Sequence, residues 1–151
     1  MKFEGSYTFA APREVVWEML QDPDVLSVII PGSEKLVRAG ENHYEATMTI
    51  QVGPVKGRFS GSVSLTDLNP PASYHMNLSG RGPAGHMNGS GNVRLESEGT
   101  STVLVYEGEA QVGGRIAAVG QRLLDTAARM LAKQSLDGLA KHIQAHIATG
   151  Q

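Results

Sequence analysis

The residues best suited to chemistry are five histidines, four tyrosines and a few closely spaced acids. His142 and His146 stand four apart on a predicted helix and present two imidazoles on one side. Two ligands are too few for a tight zinc site, which takes four, and a solvated helix face accounts for them. His43, His75 and His86 fall on predicted strands without a neighbouring carboxylate or thiol. Asp22 with Asp24, Glu96 with Glu98, and Glu107 with Glu109 read as turn or strand-surface pairs. There are no cysteines, which removes disulfides, thiolate metal sites and cysteine nucleophiles. Gly80-Arg81-Gly82-Pro83-Ala84-Gly85 matches G-x-G-x-x-G in its letters, but a strand follows it where a dinucleotide fold needs a helix N-terminus. His86-Met87-Asn88-Gly89-Ser90-Gly91 lacks the flanks of a nucleophile elbow. The sequence therefore predicts no catalytic residue and no metal ligand set.

The elements that must position these groups follow from hydrophobic periodicity. Phe3, Gly5, Tyr7 and Phe9 alternate with polar residues, the period of a strand with one buried face. Ala11-Pro12-Arg13-Glu14 opens a short helix whose apolar face is Val16, Trp17 and Leu20, and Asp22-Pro23 opens a second carrying Leu26, Ile29 and Ile30. Pro31-Gly32 stops it. From 33 to 112 the chain reads as an antiparallel meander. Its clearest alternation sets Val55, Gly57, Phe59, Gly61, Val63 and Leu65 against Lys56, Arg58, Ser60, Ser62, Ser64 and Thr66. Two last strands are expected at about 85–97 and 100–112, around Glu98-Gly99. After Gly113-Gly114 the chain reads as one helix over 115–147, about 50 Å long at ~1.5 Å per residue. Its apolar stripe turns part-way along, which predicts a bend near Gly138 or a change of packing partner.

This order predicts an α+β, helix-grip fold: a curved antiparallel sheet of about seven strands around a long C-terminal helix, with two short helices after the first strand. One domain over 1–148 is expected, with a frayed tail at 149–151. The 151 residues are enough to bury roughly two-thirds of the unfolded surface, and 40% hydrophobic with 19% charged residues is a globular composition. The net charge of −2 argues against nucleic acid as a partner. Neither a signal peptide nor a membrane span is evident, so a cytoplasmic protein is expected.

Several inward positions are glycine: Gly57, Gly61, Gly85, Gly89, Gly91 and Gly108. The facing helix is also small at Gly120, Ala127 and Ala128. Either the glycines bend the sheet, or they leave a cavity. The residues left to line a cavity are Tyr44, Met48, Ile50, Phe59, Met76, Leu78, Met87, Leu104, Tyr106, Leu124 and Leu131, with Gly120 and Ala127. Adaptable methionines and a few hydroxyls predict an apolar ligand with few polar groups. Arg115, Arg122 and Arg129 recur every seven residues, with Lys133 one turn later. One helix side carrying all four is either a solvated face or a strip that docks on anionic lipid or an acidic partner.

Four segments carry a family resemblance: Pro31-Gly32-Ser33-Glu34-Lys35-Leu36; Val52-Gly53-Pro54-Val55-Lys56-Gly57 with Phe59-Ser60-Gly61; Tyr106 through Gly114; and Ala118-Val119-Gly120-Gln121-Arg122-Leu123-Leu124. Together they resemble the carbon monoxide dehydrogenase G-subunit family of the START-like (SRPBCC, polyketide cyclase and lipid-transfer) superfamily. The resemblance implies a non-catalytic accessory protein of an aerobic, carbon monoxide dehydrogenase-type molybdenum hydroxylase. It implies no covalent cofactor, a bound quinone or other lipid-like molecule in the cavity, and the hydroxylase as partner. Two alternatives stand beside it: a module that recruits the hydroxylase to the membrane or helps it mature, and a cyclase- or hydrolase-like enzyme of the same superfamily. Many members of that family continue past the long helix into a membrane-associating tail. With the sequence running to Gln151, transient contact at the inner face of the membrane or soluble carriage is expected.

Overall fold

The first strand, β1 (Lys2–Phe9), alternates exposed and partly buried residues up to the buried Phe9, as its period-2 pattern requires. A computed structural model describes residues 1–149. Pro12 stands immediately before helix α1 (Arg13–Leu20), which buries Val16 and Met19. Helix α2 (Pro23–Ile29) begins on Asp22, whose carboxylate accepts from the Asp24 backbone N–H at 2.9 Å. That satisfies one of the amide groups a helix start leaves free. Beyond α2, Gly32 has φ +81°, and any Cβ there would overlap the Thr49 carbonyl. Only glycine lets the chain lie this close to a strand as it turns into the sheet.

The sheet then forms as hairpins: β2 (Ser33–Gly40), β3 (His43–Val52), β4 (Val55–Asn69), β5 (Ser73–Gly82), β6 (Gly85–Glu98) and β7 (Ser101–Gly113). Every pairing is antiparallel, and β1 adds beside β7 to give the order β1-β7-β6-β5-β4-β3-β2. The last element, α3 (Gln121–Ala148), has 28 residues, or about 42 Å at ~1.5 Å per residue. Thr149 donates its hydroxyl to the His146 carbonyl at 2.8 Å; the remainder of the expected tail, Gly150 and Gln151, lies outside the described residues.

The expected single helix over 115–147 is corrected at its start. Arg115–Val119 is a 3-10 turn, bracketed by Gly114 at φ +84° and Gly120 at φ +98°. Its Ile116 is almost fully buried and its N–H bonds the Ala84 carbonyl at 2.8 Å. Anchoring Ile116 under the β5–β6 hairpin sets a direction that a continuous helix does not follow, and the two positive-φ glycines make the corners. At Gly138, by contrast, α3 continues without interruption. A Cβ there would come within 3.1 Å of Ile29 Cβ, so the glycine admits α2 against α3.

The apolar stripe on α3 turns because its packing partner changes. Leu136, Leu139, Ala140 and Ile143 join the larger core, which includes Phe9, Val16, Tyr44, Leu95 and Leu104. Leu124 and Ala127 join a smaller one around Val52, Phe59, Ala84 and Ile116. The helix meets the sheet chiefly along β1 and β3. The β1 side is fastened by polar contacts: Tyr7 Oη donates to Asp137 Oδ1 at 2.7 Å, and Gln144 Nε2 donates to the Ala10 carbonyl at 3.3 Å.

Asp137 also accepts from Lys133 Nζ at 2.8 Å. The Lys133 bond, and after it the Tyr7 bond, hold its carboxyl below the usual carboxylate range. A lowered folded-state pKa contributes stability above the ordinary aspartate value of about 3.9 and loses it as pH falls toward the folded value. Asp137→Asn is therefore expected to be less stable than the parent at pH 7 and to lose less stability below about pH 4, as read by urea denaturation across pH.

Candidate ligand-binding site

Several of the inward sheet glycines serve curvature. At Gly61 a Cβ would overlap the Ser79 carbonyl; at Gly91 and Gly108 it would meet the carbonyl oxygens of Glu107 and Ser90 at 2.7 and 2.6 Å. The neighbouring strand's backbone occupies the place of the side chain, the signature of a sheet coiled too tightly for a Cβ. At Gly57 the space is taken by Ala84 and Phe59. The missing side chains at Gly61, Gly91 and Gly108 therefore mark bends, the one at Gly57 is filled by packing, and a gap has to be sought elsewhere.

The interior divides into two parts, with a waist at the seam between them. The two cores are separate clusters, and α3 runs over both. Between them lie Met48, Leu78 and Leu131, inward-facing apolar residues that belong to neither core and remain partly accessible. Met48 stands between Tyr44 and Ile50 on the inner face of β3. Leu78 is opposite Val63 and Gly89 on the adjoining strands. Leu131 is one turn beyond Ala127, before the larger core resumes at Leu136. Met48 is opposite Phe59 of the smaller core, and Val63, opposite Leu78, packs against the larger one, so these residues mark the seam between the two.

Around this waist the other expected lining residues divide. Tyr44, Phe59 and Leu104 are buried in the cores themselves. Met76 and Tyr106 pack on the edge of the larger core, and Ile50, Met87, Leu124 and Ala127 on the edge of the smaller one. Gly120 lies at the N-cap of α3 with open space where a Cβ would be.

Of the four inward tyrosines Tyr7 is bonded to Asp137, and the other three differ in what their hydroxyls can do. Tyr44 Oη accepts from Arg38 Nη2 and donates to the Gln21 carbonyl, both at 3.4 Å. Burial, and then Tyr44, push the Tyr74 phenol well above its ordinary pKa, so it stays protonated, with its ring edge-on to Trp17 at 5.5 Å. The Tyr106 ring lies against Gly5 of β1, and its hydroxyl has no hydrogen-bond partner among the described residues. Tyr106 thus keeps an unbonded hydroxyl, seated over β1, at the edge of the larger core.

An open cavity of about 570 Å³ lies on the β1 side, bordered by Phe3, Gly91 and Gly108 on the sheet and by Asp125, Ala128 and Arg129 on α3. Outer-face His75, Asn92 and Glu107 also border it. Met76, opposite Gly91, brings the expected lining to within one strand of this opening. Gly91, Gly108 and Ala128 lie on walls expected from the sequence pattern, whereas the part of Phe3 and Asp125 depends on the approach of α3 to β1.

The expected basic strip is also redistributed. Arg115 lies in the 3-10 turn, so the seven-residue spacing from Arg115 to Arg122 crosses the Gly120 corner and does not measure a helix face. Arg122, Arg129 and Lys133 do share one side of α3, where Lys133 is paired with Asp137. Exposed Leu123 and Met130 lie beside them, 41% and 54% accessible. No group of His, Asp or Glu suited to a metal ion occurs among the described residues, and no described helix is long and apolar enough to cross a membrane.

A curved seven-stranded sheet gripping one long helix, with the interior divided between them, defines a START-like domain. Solved structures agree in fold: a START superfamily protein from Mycobacterium smegmatis superposes with a TM-score of 0.72 at 12% identity, covering 95% of this chain and 97% of that one. An aromatase/cyclase from Streptomyces sp. R1128 gives 0.69 at 17% identity, over 97% and 95%. A conserved protein from Geobacillus kaustophilus is much more similar, with a TM-score of 0.92 at 34% identity over 96% of both chains. No curated protein sequence matches. The family model for the carbon monoxide dehydrogenase G-subunit (CoxG) matches residues 5–144, and the chain belongs to that family.

The division of the interior predicts unequal mutational costs. Leu139→Ala, in the larger core, is expected to cost about 2–5 kcal/mol. Leu131→Ala, at a side chain that is only partly buried and outside both cores, is expected to cost at most about half as much. Equal losses in chemical denaturation would mean that the waist is as well packed as the cores.

Proposed function

We propose that this protein is a non-catalytic accessory protein of an aerobic, carbon monoxide dehydrogenase-type molybdenum hydroxylase, and that it holds a quinone or similarly apolar molecule between the sheet and α3. The observation that carries the reading is the divided interior: Met48, Leu78 and Leu131 fall outside both buried cores while facing the interior and stay partly accessible. Family membership supplies the enzyme context. The chemistry fits a molecule with a long apolar part and one or two acceptors. Methionine and leucine walls adapt to an aliphatic tail, and the unpartnered Tyr106 hydroxyl is a donor for a ring carbonyl. Tyr44 and Tyr74, being tied or protonated, make poor general bases, which favours binding over catalysis even though structural neighbours include an aromatase/cyclase.

Solvent extraction of the purified protein followed by mass spectrometry is expected to release an isoprenoid quinone or comparable lipid. Leu131→Trp, which fills the waist, is expected to lower that content at least about tenfold, equivalent to about 1.4 kcal/mol, without loss of thermal stability. An empty protein that also fails to bind added quinone would contradict the proposal.

A second reading rests on the surface of α3. Leu123 and Met130, flanked by Arg122 and Arg129, form an apolar strip with a basic border, suited to recruiting the hydroxylase or helping it mature. On that reading Arg122→Glu with Arg129→Glu abolishes co-purification with the hydroxylase and leaves ligand content unchanged. Loss of ligand with retention of the enzyme would favour the first reading alone.

A further inference from the structure

Most arginines and histidines of the sheet are engaged by a neighbour. Arg58 is bonded to Glu34 at 2.9 Å, Arg94 lies 3.5 Å from Glu96, and Arg38 stands over the Tyr44 ring. His43 Nδ1 meets Ser64 Oγ at 2.9 Å, and His75 Nδ1 meets Asn92 Oδ1 at 2.8 Å. Arg81 and His86 of the sheet, and Arg115 of the 3-10 turn, have no hydrogen-bond or ion-pair partner among the described residues, and they surround the same hollow.

That hollow, about 540 Å³ and open to solvent, is bordered by Arg81, His86 and Arg115 together with Gly82, Gly85 and Gly114. Its construction follows from register. Arg81 on β5 is directly opposite His86 on β6, and His86 is opposite Gly113 on β7. The His86 ring lies where a Gly113 Cβ would be, so the missing side chain lets the imidazole lie flat across the end of β7. The corner at Gly114 then brings Arg115 to the other side. Pro83 is the remaining residue at its border, and no carboxylate lines it.

Two guanidiniums without an acidic partner, beside an imidazole that can donate a ring N–H, suit an anion, and the bordering glycines allow it to approach the backbone closely. Guanidinium forks match the oxygens of a phosphate group in a planar, bidentate way. From this arrangement we propose an oxyanion site at Arg81, His86 and Arg115 that takes a phosphate or phosphomonoester group. It lies at the β5–β6 hairpin and the 3-10 turn, apart from Met48, Leu78 and Leu131, and it does not depend on what fills the waist. The phosphate comes either from a free small molecule or from a lipid headgroup, and the two sources are separable.

The test is titration of the full chain with inorganic phosphate, followed by amide shifts in two-dimensional NMR at constant ionic strength, together with flotation of vesicles of phosphatidylcholine with and without phosphatidic acid. Saturable shifts at Gly82, Gly85 and Gly114 are expected. In Arg81→Gln/Arg115→Gln they are expected to weaken at least tenfold, and in Arg94→Gln, which removes a paired arginine, to remain. Phosphate shifts without vesicle binding assign the site to a small molecule. Vesicle binding that requires phosphatidic acid and is competed by phosphate assigns it to a headgroup. Absence of both, or binding undiminished in the double variant, overturns the proposal. Because both arginines are exposed, the variants are expected to fold, and an unchanged Tm checks this.

Discussion

The structure depends on a mismatch of shape: a sheet that coils strongly across its seven strands is laid against a continuous helix about 42 Å long. Such a pair touches fully only in places. Here contact concentrates where α3 meets β1 and β3 and at the two clusters of large side chains. Curvature is enforced by Gly61, Gly91 and Gly108, where the neighbouring backbone already fills the Cβ position. The grip is fixed on one side by the Tyr7–Asp137 and Gln144–Ala10 bonds and on the other by apolar packing against β3. The waist is a consequence of that geometry, and its residues are apolar because they face the interior.

Much of this was legible in the sequence. Alternation in Lys2–Phe9 and across Val55–Leu65 specified strands because a strand with one wet face must repeat every two residues. Glu98-Gly99 located the last hairpin within one residue at each strand end. Periodicity failed where a few residues override it. The segment after Gly114 has good helix formers, but Ile116 is drawn into the smaller core, and two glycines in the positive-φ region turn the chain around it. The helix thus begins at Gln121, and Arg115 leaves the strip to which its spacing assigned it.

Site residues were harder to place for a different reason. The sequence identified which side chains point inward, and of those Tyr44, Phe59 and Leu104 proved to be packed in the cores while Met48, Leu78 and Leu131 lie between them. Period-2 and period-3.6 patterns report facing; they carry no information on how far the opposite wall stands off. The same limit hid the hollow at Arg81, His86 and Arg115, since it is assembled from two strand ends and a 3-10 turn remote in sequence. Its signal was chemical, two cations and an imidazole without partners, and appears only once the register is known.

An apolar ligand beneath α3 requires apolar space at the seam between the two cores. Diffraction from crystals pressurised with xenon tests it most directly, because xenon enters empty apolar cavities and needs no polar partner. The account predicts a xenon site within van der Waals contact of Met48, Leu78 and Leu131, or lipid density in its place if the protein is purified with its ligand. Neither xenon nor ligand density there, with those three side chains packed against one another and against both cores, would contradict it.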